Sequence, residues 1–275
     1  MTLGKETSKI LKALIYLSTV LTLGVLLALI IYILVNGVVN LKPELFALEF
    51  TTENMSMMPA IISTIYITAL TLIMAIPIGV SSAIYLVEYS KRGSKIVKII
   101  RTTTETLQGI PSIVYGLFGY ILFVVSLGWS YSIIAGAVTL AIMVLPLIIR
   151  TSEEALLSVP DSYREASFGL GAGKLRTVFK VILPAAMPGV FSGIILAIGR
   201  IVGESAALIF TAGSVAQIPG GLTDSARTLS VHMYALLTEG LYTEQAYATA
   251  VVLLVLVAII NGASNLIAGR LEAKI

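Results

Sequence analysis

Residues 158–184 read Ser158-Val-Pro-Asp-Ser-Tyr-Arg-Glu165-Ala-Ser-Phe-Gly-Leu-Gly171-Ala-Gly-Lys-Leu-Arg-Thr-Val-Phe-Lys-Val181-Ile-Leu183-Pro184. Ser158 and Asp161 stand three apart around Pro160, a helix-start signal resembling a capping box. The pattern predicts a short helix ending near Phe168. Gly169, Gly171 and Gly173 then break it, because glycine adopts positive φ without steric cost. Leu175, Val178, Phe179 and Ile182 recur at helical spacing, with Lys174, Arg176 and Lys180 on the solvated side. Pro184 and Pro188 are expected to end this second helix before the apolar run that follows. The reading is a helix, a tight glycine turn and a helix, shaped to dock in a groove on a soluble partner.

The surroundings place this knob on a membrane protein. Of 275 residues, 57% are hydrophobic and 12% charged, with mean hydropathy +0.98. A soluble domain carries roughly 25% charged residues, so this chain lacks the surface charge that water demands. Spans of about 20 apolar residues are expected near 14–35, 60–87, 110–127, 131–149, 188–211 and 247–269. Residues 13–41 carry no charge at all, a run too long for a signal-peptide core, and they are read as a retained first span. Gly128-Trp129-Ser130-Tyr131 is the expected turn between the third and fourth spans, with two interfacial aromatic anchors. Pro77, Pro111 and Pro146 fall in the second, third and fourth spans, where each removes a backbone hydrogen bond. No composition shift marks a second domain, so residues 1–275 are read as one all-α transmembrane domain.

Orientation follows from the basic residues. With the N-terminus in the cytoplasm, the inner segments hold Lys5, Lys9, Lys12, Lys91, Arg92, Lys95, Lys98, Arg101, Arg150, Arg164, Lys174, Arg176, Lys180, Arg270 and Lys274. The outer loops hold only Lys42 and Arg227, and Arg200 lies inside a span. Both termini are therefore expected in the cytoplasm, and the 150–187 loop with them. The outer segment 36–56 is acidic, and 213–246 is rich in Gly, Ser and Thr, the composition of a re-entrant or gating segment.

Several chemistries are excluded or disfavoured. Cysteine is absent and histidine occurs once, at His232, so there is no thiolate site and no histidine cage. His232 is read as an ordinary loop residue. Gly169-x-Gly-x-Gly-Lys174 imitates a phosphate-cradling loop, but Phe168 and Leu175 stand where that loop needs Gly and Ser or Thr. No metal or cofactor is expected, and ATP hydrolysis is assigned to a separate subunit.

The pattern Glu165-Ala166-Ser167, three residues, Gly171, nine residues, Val181-x-Leu183-Pro184 resembles the EAA loop of binding-protein-dependent ABC importer permeases. Ser167 replaces the usual Ala of that motif and Val181 the usual Ile. The resemblance implies a MetI-like, type I ABC importer permease fold. It also implies that Glu165, Ala166, Ser167, Gly171, Leu183 and Pro184 belong to a coupling element seated on an ATPase subunit.

In the fifth span, Gly199-Arg200-Ile-Val-Gly203-Glu204-Ser-Ala-Ala-Leu208 places two charges four residues apart, on one face of a continuous helix. Charges at membrane depth pair with each other or face a water-filled path. Both readings stand: a mutual salt bridge, or an anion path in which the planar guanidinium of Arg200 meets phosphate oxygens. Gly199, Gly203, Ser205 and Ala206 are expected to admit a close helix crossing. Arg150, at the inner end of the fourth span, is a second candidate on the path, or a positive-inside anchor.

This segment and residues 108–119, Gln-Gly-Ile-Pro-Ser-Ile-Val-Tyr-Gly-Leu-Phe-Gly, resemble phosphate-specific ABC permeases, the PstA type more than the PstC type. The resemblance implies a PstC-like second permease, PstB-like ATPase subunits, a PstS-like extracytoplasmic phosphate-binding protein, membrane lipid around the spans, and no nucleic acid. Permeases for molybdate or sulfate, and ion-coupled secondary carriers, are the competing functions. An intramembrane enzyme is disfavoured because only Arg200 and Glu204 are ionisable within the spans.

Overall fold

The computed structural model describes residues 3–91 and 93–272; Arg92 and Lys274, two of the cations counted above, lie outside the described residues. Among the described residues there are helices and no strands. Five helices are long and apolar enough to cross a membrane: Ser8–Val38, Met58–Tyr89, Ile133–Ser158, Lys174–Val202 and Thr243–Leu266. A bent pair, Lys95–Gln108 and Ser112–Ser126, whose axes turn through 101°, is together long and apolar enough to be a sixth, as a broken span or a re-entrant segment.

The centre of the bundle is α5 (Ile133–Ser158), which packs against α2 (Met58–Ile84) on one side and α8 (Leu183–Val202) on the other. Ile67 and Ala75 of α2, Leu140, Met143, Val144 and Ile148 of α5, and Ala197 and Ile201 of α8 are all buried in one cluster. Lipid tails are as apolar as these side chains, so the cluster is held by close packing more than by escape from water. The first helix, α1 (Leu3–Val38), lies outside this core and turns most of its apolar side chains outward, as a lipid-facing helix does. It meets α11 (Thr243–Glu272) through Tyr32 and Tyr247, whose rings stand edge to face at 5.8 Å with hydroxyls 3.3 Å apart.

The second and third crossings are joined by α3 (Lys95–Gln108), a regular amphipathic helix where a loop was expected. The third crossing is short: α4 (Ser112–Gly119) followed by a π-helical segment, Tyr120–Ser126. Pro111 stands in the break of the bent pair rather than within a helix, at the N-cap of α4, where its missing N–H is harmless. Pro77 and Pro146 do lie inside α2 and α5. The turn at 128–130 forms as expected, with Gly128 at φ +67° and Trp129 stacked on Phe123 at 5.3 Å.

Pro184 and Pro188 do not end the helix that precedes them. The chain runs as one helix from α7 (Lys174–Thr177) through a π-helical stretch, Val178–Ile182, into α8. Pro184 occupies the first turn of α8, and the π register already spaces the bonds one residue wider, with the Leu183 N–H on the Val178 carbonyl. The segment between α9 (Ala206–Thr211) and α11 carries one helix, α10 (Leu229–Glu239), closed by Gly240 at φ +71°. His232 is fully buried in α10, so its reading as an ordinary loop residue is corrected: a polar ring sits among Phe50, Met55 and Arg227.

Candidate functional site: a coupling handle and a broken span

The knob at 158–184 is built as a handle with two arms. Its first arm is α6 (Asp161–Gly169). Ser158 does not cap it; the Ser158 hydroxyl bonds the Ala155 carbonyl at 2.7 Å and so finishes α5, and Pro160 opens α6. The arm ends when the N–H groups of Leu170, Gly171 and Ala172 fold back onto the carbonyls of Ala166, Phe168 and Ser167 at 3.1, 2.9 and 3.1 Å. Gly171 has φ +80°, a left-handed conformation that a Cβ opposes. Leu170, at the tip, is 90% exposed.

The second arm, α7, is tied to the first by the hydroxyls of Ser167 and Thr177, 2.8 Å apart and buried. The departure from Ala at Ser167 thus supplies a bond between the arms. The expected apolar stripe splits in two. Val178 and Ile182 pack with Ala83 and Leu156, while Leu175 and Phe179 stay outside with Phe168 and Tyr163. Glu165 and Ala166 are exposed on the same arm, and Leu183 and Pro184 are half-buried at the root of α8. The outcome is an exposed, partly apolar tip on a rigid base.

The base was not legible as such in the sequence. Arg164 donates to Glu88 Oε1 from Nη2 at 2.7 Å and Nε at 3.0 Å, and both side chains are nearly buried. It also bonds the carbonyls of Leu156 and Val159. Glu88 ends the second crossing, so this one side chain joins α6 to α2 and α5. A parallel bond links Arg101 of α3 to the buried Glu153 of α5 at 2.5 Å. Composition counted both arginines as topological charge. The one signal was a carboxylate, Glu88 or Glu153, amid the basic side.

The fifth crossing is not one continuous helix. α8 stops at Val202, Gly203 to Ser205 form a break, and α9 resumes at Ala206. This overturns the reading of Arg200 and Glu204 as neighbours on one helix face. Glu204 turns to the break: its Oε1 accepts the Ala207 N–H at 3.0 Å and caps α9, and the residue is buried. The break is braced from α10, where the Ser230 hydroxyl donates to the Gly203 carbonyl at 3.0 Å. Arg200 is left half-buried, with no carboxylate paired to it among the described residues. Its guanidinium acts electrostatically on Tyr115 of α4, whose hydroxyl donates to the Leu107 carbonyl at 2.9 Å.

The close crossing expected around Gly199, Gly203, Ser205 and Ala206 forms at its Ala206 end alone. No atom of another helix lies within 4 Å of a Cβ placed on Gly199 or Gly203. It occurs at Gly116, where an added Cβ would stand 2.8 Å from the Ala207 Cα. The motif at 108–119 therefore packs directly on the cap that Glu204 forms. Arg150 is taken up by two carboxylates, Glu105 at 2.5 Å and Glu154 at 2.6 Å, on the basic side of the bundle. No cluster of three or more potential metal ligands occurs among the described residues.

Comparison with known proteins agrees with this architecture. Residues 75–275 match the family described as binding-protein-dependent transport system inner membrane component. The chain is 33% identical to a Bacillus subtilis protein named probable ABC transporter permease protein YqgI, over 98% of both chains. It is 32% identical to the phosphate transport system permease protein PstA of Haemophilus influenzae, over 84% of this chain and 82% of that one. Among solved structures, an inward-facing MetNI methionine ABC transporter covers 87% of this chain with TM-score 0.59 at 24% identity, a likeness of fold.

Proposed function

Since the chain belongs to the family of binding-protein-dependent transport system inner membrane components, we propose that it is the PstA-type permease subunit of an ATP-driven phosphate importer. It works with other components of an ABC importer, and ATP hydrolysis lies in separate subunits. The partners are a PstC-like permease that completes the path, PstB-like ATPase subunits and a PstS-like phosphate-binding protein. The multi-pass chain sits in the inner membrane with both termini, and the handle at 161–182, on the cytoplasmic side.

The observation that carries the substrate is Arg200: a guanidinium within the membrane, its carboxylate neighbour occupied in capping α9. A fixed cation in a low-dielectric path lowers the barrier to an anion by Coulomb attraction, and its planar fork suits two phosphate oxygens. Relatives named for phosphate transport support the same assignment. In the cycle we infer, ATP closes the ATPase pair, the handle moves with it, and Arg164 carries the motion through Glu88 into α2. The break at Gly203–Ser205 then opens the path outward, and hydrolysis returns it.

The test is uptake of labelled phosphate by the complex reconstituted in vesicles. Arg200→Ala lowers the rate at least about tenfold, the effect of ~1.4 kcal/mol lost at the barrier, and excess unlabelled phosphate competes while sulfate and molybdate do not. Unchanged uptake by the variant, or competition by sulfate, contradicts the assignment.

A further inference from the structure

The helix α3 has a face that nothing in the protein covers. One side is pinned to α5 by Arg101 on Glu153, Glu105 on Arg150, and the Gln108 side-chain amide on the Pro146 carbonyl. Val97 is buried beside Leu86 and Ile149 on that side. On the other side Ile96 and Ile99 are each 64% exposed. Beside them Lys95 and Lys98, with Lys91 just upstream, point into the open, and none of the three ammonium groups has a partner among the described residues. A helix with apolar residues on one open face and lysines along its edge is the signature of an interfacial helix.

Its place fixes what covers the face. α3 begins directly after the second crossing, which ends at Tyr89, and turns 101° into the third, so it runs along the boundary between the two. Between it and the end of the second crossing lies a cleft of about 530 Å³, bounded by Tyr85, Tyr89, Lys91, Ser94 and Ile96. Tyr85 and Tyr89 are exposed at the end of the second crossing, the position at which tyrosine collects in membrane proteins. Lys174 of the handle leans over the Tyr89 ring with its Nζ 5.0 Å from the centroid, a further cation beside one wall of the cleft. The exposed Ile96 and Ile99 continue the lipid-facing surface of the adjoining span, where Ile113 and Leu117 are also exposed.

We propose that an anionic phospholipid of the cytoplasmic leaflet covers this face, its headgroup at the cleft on Lys91 and along the helix edge on Lys95 and Lys98, with Ile96 and Ile99 among its acyl chains. The inference rests on the orientation stated under the proposed function and not on the substrate.

The intact importer complex, offered phosphatidylglycerol and phosphatidylcholine at equal concentration and read by native mass spectrometry, retains the anionic lipid in excess. The variant Lys91→Gln/Lys95→Gln/Lys98→Gln lowers that excess on the order of a hundredfold, since each of the three basic residues near an anionic surface contributes ~1 kcal/mol. Lys5→Gln/Lys9→Gln/Lys12→Gln, removing equal charge elsewhere, keeps it. Equal retention of both lipids, or an undiminished excess in the first variant, overturns the proposal. So does loss of the ATPase subunits from that variant with lipid retention unchanged, which gives the face to the protein partner. A photo-crosslinking residue at position 96, in an otherwise unaltered complex, labels phospholipid; labelling of a protein chain instead overturns the proposal independently of the lysine variants. Phosphate uptake is measured alongside, and its failure bears on the substrate alone.

Discussion

Arg200 and Glu204 show how a pair of charges in one membrane segment divides its work. Glu204 is engaged locally, its Oε1 accepting an N–H at the start of α9. Arg200 keeps its charge available, and its role depends on geometry as well as sign. Arg200→Lys, which retains the charge and loses the planar fork, is expected to restore only part of the uptake that Arg200→Ala removes; transport assays of the two variants side by side check this. The sequence displayed both residues and their spacing, but the Gly203 break that separates them was invisible, because glycine in a membrane helix signals close packing as readily as an ending. His232 is the other residue whose environment the sequence concealed. Burial and the neighbouring Arg227 charge lower its pKa to about 4. The unfolded chain takes up a proton near 6.5, so between these values it binds more protons than the fold. Stability therefore falls as pH drops from about 6.5 toward 4, by up to ~3 kcal/mol. Thermal unfolding of the detergent-solubilised complex should show this loss, and His232→Asn should flatten it.

The handle belongs to the scale of elements. Its tip geometry depends on Gly171 at φ +80° and on the Ser167–Thr177 bond. Gly171→Ala strains that turn by about 1–2 kcal/mol and is expected to separate ATP hydrolysis from transport, with futile ATPase activity retained and uptake reduced. Parallel ATPase and uptake measurements decide this; equal loss of both contradicts it. At the base, Arg164→Ala leaves Glu88 charged and nearly buried, at a cost of about 3 kcal/mol. The paired variant Arg164→Met/Glu88→Leu should recover much of that stability and little of the coupling, which a denaturation series and the uptake assay read together. The helix–turn–helix was legible because glycine spacing and helical periodicity are local signals. The Arg164–Glu88 bond was not, since its partners lie 76 residues apart in sequence. The continuous α7–α8 helix was hidden for a different reason. Proline ends helices unless the turn before it is widened, and the π-helical stretch that does so follows from packing of Val178 and Ile182 against α5 and α2.

At the scale of the whole molecule, apolar run lengths gave the candidate crossings, five long helices and one bent pair, while their sense belongs to the proposal and rests on the skew of lysine and arginine. The central position of α5 could not be read, since its apolar content differs little from that of α1, which faces outward along its length. All of this architecture serves one claim: the handle is a cytoplasmic surface seated on an ATPase subunit. The chain contains no cysteine, so Leu170→Cys, at the exposed tip, introduces a single thiol. The direct measurement is labelling of that thiol by a membrane-impermeant maleimide in inside-out and right-side-out vesicles, with and without the ATPase subunit. The account predicts labelling only in inside-out vesicles, and its suppression when the subunit is assembled. Labelling from the outside, or labelling indifferent to the subunit, contradicts it.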